Sequence, residues 1–321
     1  MPDLSILIPT LGRPGLLGRV LDRLEDQTAG SRAFEVIVAA DAKEPELGSL
    51  DRAVAGRSYP ARRLQATRPG ASAARNAAWR AAAGPVVLFL DDDILPERQL
   101  VAEHLDWHRR SPAAEVGVLG RVRWADELRV TPFMRWLEDG IQFDYPNIEG
   151  IEAGWGRFYT ANASVKRCLL ERVGGFEEEK LPFGYEDLDL ALRMREHGFR
   201  LLYNRAAVAE HLHPMDLEFW KRRVARIAIS ERRFVEMHPE VPPYFFDLFS
   251  SAASALPAKG RGARVARFVP KSFPLLGPWV WRSADAVYRQ ALAGPFLEAW
   301  HGDDASPADA PADLSPGASP A

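Results

Sequence analysis

Val86-Val87-Leu88-Phe89-Leu90 is apolar at every position and runs without a spacer into Asp91-Asp92-Asp93. A strand with no polar face has to be covered on both sides, as in a parallel sheet sandwiched between helices. Leu4 to Ile8, stopped by Pro9, and Phe34 to Ala39 read as two more buried strands. Pro14 opens a helix that carries Leu16, Leu17, Val20, Leu21 and Leu24 on one stripe. Ser72 is placed to cap an alanine-rich helix from Ala73 to Ala83, ended by Gly84-Pro85. This alternation predicts an α/β fold with a mostly parallel central sheet. Ligands of such sheets bind beyond the C-terminal ends of the strands, and Thr10, Asp41 and Asp91 to Asp93 all fall there.

Further along, Arg121 to Tyr159 is irregular and rich in Trp and Phe. Helical periodicity returns from Glu186 to His197, stopped by Gly198, and a strand-like Arg200 to Tyr203 follows. Phe219 to Met237 reads as a basic helix. From Pro257 to Pro295 there are seven Lys or Arg and one Asp, interleaved with Trp and Phe. The final stretch is built of Ala, Pro, Asp and Ser, a composition that does not support a packed core.

At 321 residues, 47% hydrophobic, the chain is long enough to bury a large core, and its single Cys168 forms no internal disulfide. A net charge of −3 gives no whole-molecule argument for nucleic acid as a partner. No basic leader precedes an apolar segment, and the apolar passage Phe273 to Trp281 is short and interrupted by Pro274 and Pro278. The expectation is a soluble, cytoplasmic protein, or one peripheral to the inner face of a membrane.

Three adjacent carboxylates repel one another. At a strand end, hard divalent cations such as Mg²⁺ or Mn²⁺ offset that repulsion while holding a diphosphate; elsewhere a triple Asp is an acidic turn. Glu186-Asp187 opens a helix directly after Phe183-Gly184-Tyr185. Carboxylates in a first helical turn satisfy free amides, but one held there also stays ionised, as a general base for a hydroxyl must. His211 of His211-Leu212-His213 is a candidate further metal ligand. Arg13, Arg68 and Arg75 lie near strand ends or helix starts, where they can meet a diphosphate. Trp155 and Tyr159 are aromatics of the kind that stack on sugars or fill cores.

Taken in order, these segments resemble the family 2 glycosyltransferases, the large inverting group with the GT-A fold. Ser5-Ile6-Leu7-Ile8-Pro9-Thr10 with Arg13-Pro14 is similar to that family's first strand and nucleotide turn, and Gln27-Thr28 with Phe34 to Val38 continues the match. Ala74-Arg75-Asn76, Ala83-Gly84 and Phe89 to Asp93 resemble its diphosphate and metal-binding block. Asn162 with Ser164, followed by Gly174-Gly175-Phe176-Glu177-Glu178, looks like the start of its acceptor half. Glu186-Asp187-Leu188-Asp189-Leu190 with Arg193 resembles its catalytic helix. The resemblance implies a site residue by residue. Asp41 accepts from the nucleotide base, in a pocket lined by Pro9 and Thr10, and Arg13, Arg68, Arg75, Asp91 and Asp92 complete the nucleotide-sugar site. Asp91, Asp93 and His211 hold Mn²⁺ or Mg²⁺. Asp187 deprotonates the acceptor hydroxyl, with Glu186 beside it, and Trp155, Asn162, Tyr185 and Glu186 bind the acceptor.

The implied fold is a GT-A-type nucleotide-binding domain over residues 1–240, with a nucleotide-sugar half to about 120 and an acceptor half over 121–240. A helical, basic and aromatic extension over 241–301 and a disordered tail over 302–321 follow. The implied activity is inverting, metal-dependent transfer of a sugar from a nucleoside-diphosphate sugar to a hydroxyl of a glycan or lipid-linked acceptor, in glycan or cell-surface polysaccharide biosynthesis. UDP-sugars are favoured, although Ala39 and Ala40 stand where the family often has a further acid before Asp41, which leaves the base open. The Gln-x-x-Arg-Trp signature of processive synthases is missing after Phe219, so one sugar per encounter is expected. The competing readings are a nucleotide-sugar-forming nucleotidyltransferase, and a catalytically inactive glycan- or nucleotide-binding module. The tract 257–295 either packs as a helical cover or rests on an anionic membrane surface. Oligomeric state is left open by the sequence.

Overall fold

The computed structural model describes residues 1–138, 140–181, 183–258 and 260–302, and only the backbone of Arg261 and Gly262. Apart from Gly302, the tail expected over 302–321 lies outside the described residues. In chain order the elements are β1 (Leu4–Thr10), α1 (Pro14–Leu24), β2 (Phe34–Ala40), α2 (Leu47–Val54), β3 (Ala61–Gln65), α3 (Ala71–Ala81), β4 (Val86–Leu90), β5 (Ile94–Pro96), α4 (Leu100–Arg110) and β6 (Val116–Trp124). They continue with α5 (Pro132–Leu137), β7 (Asn162–Lys166), α6 (Arg167–Val173), α7 (Glu186–Arg195), β8 (Arg200–His211), α8 (Leu217–Met237), α9 (Tyr244–Ser254), α10 (Arg261–Val265) and α11 (Leu276–His301).

The described residues divide into two compact units. The first comprises residues 1–128, 145–178 and 186–213 and holds a sheet of order β3-β2-β1-β4-β7-β6-β8-β5. β3, β2, β1 and β4 run parallel, as does β6 with β8, whereas β7 and β5 are antiparallel to their neighbours. The apolar runs predicted as strands are buried throughout, as parallel strands covered on both faces must be. Their two polar intruders satisfy each other: Glu35 accepts from the Ser5 hydroxyl at 2.6 Å and from the Ala83 amide at 2.7 Å.

Helix α3 begins two residues before the expected start. Gly70, at φ 109°, takes the cap position, and Ser72 is buried inside the first turn without capping it. The stretch Arg121 to Tyr159, expected to be irregular, begins with the last four residues of strand β6, Arg121 and Arg123 outward and Val122 and Trp124 inward, and includes the short helix α5. Strand β8 is longer than Arg200 to Tyr203 because a register shift between Gly120 and Arg121 lets pairing resume after the exposed Arg205 and Ala206.

The second unit comprises, of the described residues, those within 129–144, 179–185 and 214–302, and its regular elements are helices. Asp216 caps α8 through the Phe219 amide at 2.7 Å, and Thr131 caps α5 through Met134 at 3.2 Å. Helix α8 buries Phe219, Trp220, Val224 and Phe234, and α11 buries Val280, Ala284, Tyr288, Leu292 and Phe296 at helical spacing. Trp136 donates to Asp285 at 2.9 Å, seating α5 beside α11. Helix α8 groups with α9 and α11. Among the described residues no helix is long and apolar enough to cross a membrane.

Candidate active site

The site lies within the first unit, where β1, β2 and β4 end side by side. Thr10 pairs with Ala40 in register, and the Asp41 amide donates to the Thr10 carbonyl at 3.0 Å. Asp41 is 6% exposed; its Oδ1 accepts from Lys43 N at 2.8 Å and its Oδ2 from Gly70 N at 2.6 Å. Those bonds tie the end of β2 to the start of α3. Arg68 stands exposed on the loop just before Gly70. Pro9 is half-buried. The turn after it is fastened by Glu44, a buried carboxylate that accepts from Gly12 N at 2.7 Å.

The three aspartates after β4 have three different environments. Asp92 is completely buried, accepting from the Thr10 hydroxyl at 2.6 Å and facing the Arg13 guanidinium at 2.5 Å. Burial pushes its pKa up to about 7, against the pull of Arg13. Asp93 is paired with Arg13 at 2.9 Å and lies 3.8 Å from His211 Nε2. That proximity follows from topology: β5 pairs with the end of β8, Ile94 sits opposite His211, and the Leu212 amide donates to the Asp93 carbonyl at 2.9 Å. Burial opposes ionisation of Asp93, but His211, Arg13 and His213 together hold its carboxyl below the ordinary range. Asp91 is the most accessible of the three and meets Arg75 at 3.0 Å.

Arg75 is itself buried, and its other nitrogen reaches Glu186 at 3.0 Å. One guanidinium thus joins the strand-end acid to the first residue of α7. Asp187 follows, partly accessible, accepting from the backbone amides of Leu188 at 2.9 Å and of Thr160. Burial, reinforced by the neighbouring Glu186 and countered by Arg75, pushes the Asp187 carboxyl up to about 7. The sequence-based expectation that it stays ionised therefore needs qualification: near neutral pH it is divided between its two forms. Glu186 Oε2 is buried and has no hydrogen-bond partner among the described residues.

Two residues expected at the acceptor are buried. Asn162 is completely buried, its amide donating to the Ala207 carbonyl at 2.9 Å and its oxygen facing His104 at 2.9 Å. It braces the sheet, with Ser164, His108 and Lys166 continuing the same buried network. Tyr185 belongs to the second unit, where it is 8% exposed, its hydroxyl donates to Glu231 and its ring packs 5.1 Å from Phe234. Trp155 is half-buried beside α7, with the Arg195 guanidinium 5.9 Å from its ring centroid. Sequence reasoning missed Glu44 and His104, which stand in segments with no motif. Arg75, expected at the diphosphate, bridges two carboxylates here.

Five carboxylates, Asp91, Asp92, Asp93, Glu186 and Asp187, gather around the two guanidiniums of Arg13 and Arg75. Such a surplus calls for a cation. Two ligands of one ion at about 2.1 Å stand roughly 3 to 4.2 Å apart, and the Asp93–His211 separation of 3.8 Å falls in that range. Among the described residues no three His, Cys, Asp or Glu are grouped to hold an ion by themselves. A protein pair completed by substrate phosphates is how Mg²⁺-type ions are ordinarily bound. The residues present fit such an ion.

Residues 2–229 match the family model for glycosyltransferase-like family 2. Validoxylamine A glucosyltransferase of Streptomyces hygroscopicus subsp. limoneus is 28% identical over 276 residues, covering 77% of this chain and 59% of that protein. The chain spans about six-tenths of the length of such curated relatives. Mannosyltransferase PcManGT from Pyrobaculum calidifontis, solved in complex with GDP-Man and Mn²⁺, matches with a TM-score of 0.61 at 21% identity, covering 92% of this chain and 87% of that one. S. aureus TarS 1–349, solved with UDP-GlcNAc, matches with a TM-score of 0.53 at 16% identity, covering 91% and 90%. At these identities the structural likeness concerns the fold, which is that of the GT-A glycosyltransferases. With a family model spanning most of its length, the chain belongs to glycosyltransferase-like family 2.

Proposed function

We propose that this protein is an inverting, metal-assisted glycosyltransferase that moves one sugar per encounter from a nucleoside-diphosphate sugar, UDP favoured, to a hydroxyl of a glycan or lipid-linked acceptor in glycan or cell-surface polysaccharide biosynthesis. The observation that carries this reading is the gathering of surplus carboxylates at the ends of β1, β2 and β4, with Asp187 poised beside them. Asp93 and His211 would hold a Mn²⁺ or Mg²⁺ ion, with Asp91 at the mouth of the same cluster. When bound there, such an ion would supply positive charge to offset that of the leaving diphosphate. Pro9, Thr10 and Asp41 line the base pocket; Asp41, with two backbone amides already on its oxygens, uses its remaining lone pairs there. Asp92 serves the donor indirectly, by fixing Thr10 and Arg13. Arg13 and Arg68 meet the diphosphate, and Arg75 keeps Glu186 in place.

At the acceptor, Glu186 Oε2 takes one hydroxyl and Trp155 offers a ring edge to the sugar. Asp187 removes the proton from the attacking hydroxyl. A carboxyl titrating near 7 suits that work, because it is basic enough to accept the proton and still ionised in half the molecules at neutral pH. Holding donor and acceptor on opposite sides of the anomeric carbon is a positioning effect and sets the inversion.

Thermal unfolding with UDP, GDP and their sugars, each with Mn²⁺ or EDTA, tests the donor half. A ligand at a hundredfold excess over its Kd stabilises the folded state by about 2.7 kcal/mol. A shift for one base that needs the ion is the expected outcome. No shift for any nucleotide, with or without the ion, contradicts the reading.

A further inference from the structure

One stretch of the second unit is unlike the rest of the chain. From Leu256 to Arg282 the sequence contains no Asp or Glu and carries Lys259, Arg261, Arg264, Arg267, Lys271 and Arg282. Within it Val265, Phe268, Phe273, Leu275, Leu276 and Trp279 are all exposed, Leu275 at 94%, Phe268 at 72% and Trp279 at 59%. Single apolar residues on a surface are ordinary. A run of large ones, three of them aromatic rings more than half in water, marks an interaction site.

The segment is anchored, so its exposure is a property of the fold. Val280 and Trp281 are buried, and Trp281 Nε1 donates to the Val269 carbonyl at 2.9 Å. Lys271 Nζ donates to the Arg135 carbonyl at 2.7 Å and lies 4.8 Å from the Trp281 ring centroid. Gly277 packs against the backbone of Pro270 and Lys271, where a Cβ has no room. Leu275, at φ 61°, is held in a backbone region that costs a leucine energy, and its side chain points outward there. Exposed Arg264 and Arg267 flank the apolar residues, the Arg267 guanidinium 4.5 Å from the Phe268 ring centroid. Arg282 stands exposed one turn into α11 from Trp279.

We propose that this segment rests on an anionic lipid bilayer and holds the protein peripherally on the membrane surface. Charge selects that occupant. A row of guanidiniums with no neighbouring acid in the segment complements phosphate headgroups, while Trp and Phe enter the boundary between headgroup and acyl chain. Nothing in this inference depends on the catalytic assignment.

The test is co-sedimentation of the full chain with vesicles of phosphatidylcholine alone, or with about 30% phosphatidylglycerol added to supply negative charge. The expected result is binding to the anionic vesicles only, weakened by raised salt. Each basic residue near the surface contributes about fivefold, so Arg264→Ala with Arg267→Ala lowers the partition coefficient roughly twenty- to thirtyfold. Trp279→Ser with Phe268→Ser lowers it too, without the salt dependence of the first pair. All four side chains are exposed, so an unchanged melting temperature verifies that the variants fold. Absence of binding to anionic vesicles overturns the proposal, as does equal binding to both kinds. A dimer that Trp279→Ser turns into a monomer, with no vesicle binding, shows instead that a second copy covers this face.

Discussion

Replacing Asp187 by Asn removes a charge that the folded protein accommodates poorly, so it raises stability while it lowers turnover. The carboxyl is shifted from 3.8 to about 7, roughly 3 units, and at about 1.36 kcal/mol per unit the ionised form costs the folded state up to about 4 kcal/mol. Its partial accessibility to water reduces that to an expected value of about 2 kcal/mol. The sign follows from proton linkage. Between about pH 4 and 7 the folded state holds a proton that the unfolded chain has released, so this group's contribution to stability falls as pH rises through that window. Asn carries no charge at any pH. The variant is therefore about as stable as the parent at pH 4 and about 2 kcal/mol more stable at pH 8. Urea unfolding at both pH values measures this directly, and transfer assays on the same preparations should show a loss of about 10²- to 10⁴-fold. A stability change that is the same at both pH values refutes the burial argument, and undiminished transfer refutes the assignment of Asp187 as base.

Three further outcomes follow from the same geometry. Asp93→Ala leaves His211 without the carboxylate 3.8 Å away; calorimetric titration with Mn²⁺ in the presence of nucleotide should show affinity weakened by about tenfold or more. Arg75→Met strands Asp91 and Glu186 without their shared partner, costing about 3–5 kcal/mol in chemical denaturation. Because Arg75 pulls the Asp187 carboxyl down, the acid limb of the pH–rate profile should also move above pH 7. Gly120→Ala places a Cβ 2.3 Å from Asn162 Nδ2 and 2.5 Å from the Ala207 carbonyl; thermal denaturation should register a loss of about 1–3 kcal/mol.

The sheet was legible because Val86 to Leu90, apolar on both faces, admits few architectures, and because the acids after it and after β2 stand at strand ends by counting alone. What pairs with those acids was legible only in part: the family resemblance put His211 with Asp93, but nothing in the local pattern did. Asp93 meets His211 only because the short β5 lies antiparallel to the end of β8, a long-range pairing with no periodic signature across three residues. Arg75 looked like an anion ligand from its place near a helix start, and only the arrival of α7 beside it makes it a bridge between Asp91 and Glu186. Asn162 and Tyr185 carried motif-like flanks, yet burial decides their roles: Asn162 is enclosed by β6, β8 and α4, and Tyr185 by the helices of the second unit. Residue type survives in a sequence, whereas solvent access is fixed by contacts between distant segments.

If surplus carboxylates at the strand ends bind a nucleoside-diphosphate sugar through a divalent ion, cleavage of its sugar–phosphate bond needs both the ion and Asp93. The most direct measurement is release of nucleoside diphosphate from a panel of UDP- and GDP-sugars by the full chain, with Mn²⁺ or with EDTA, beside Asp93→Ala. The expected result is release from donors of one base, dependent on Mn²⁺ and lost in the variant. Release that persists undiminished in EDTA and in Asp93→Ala would contradict it.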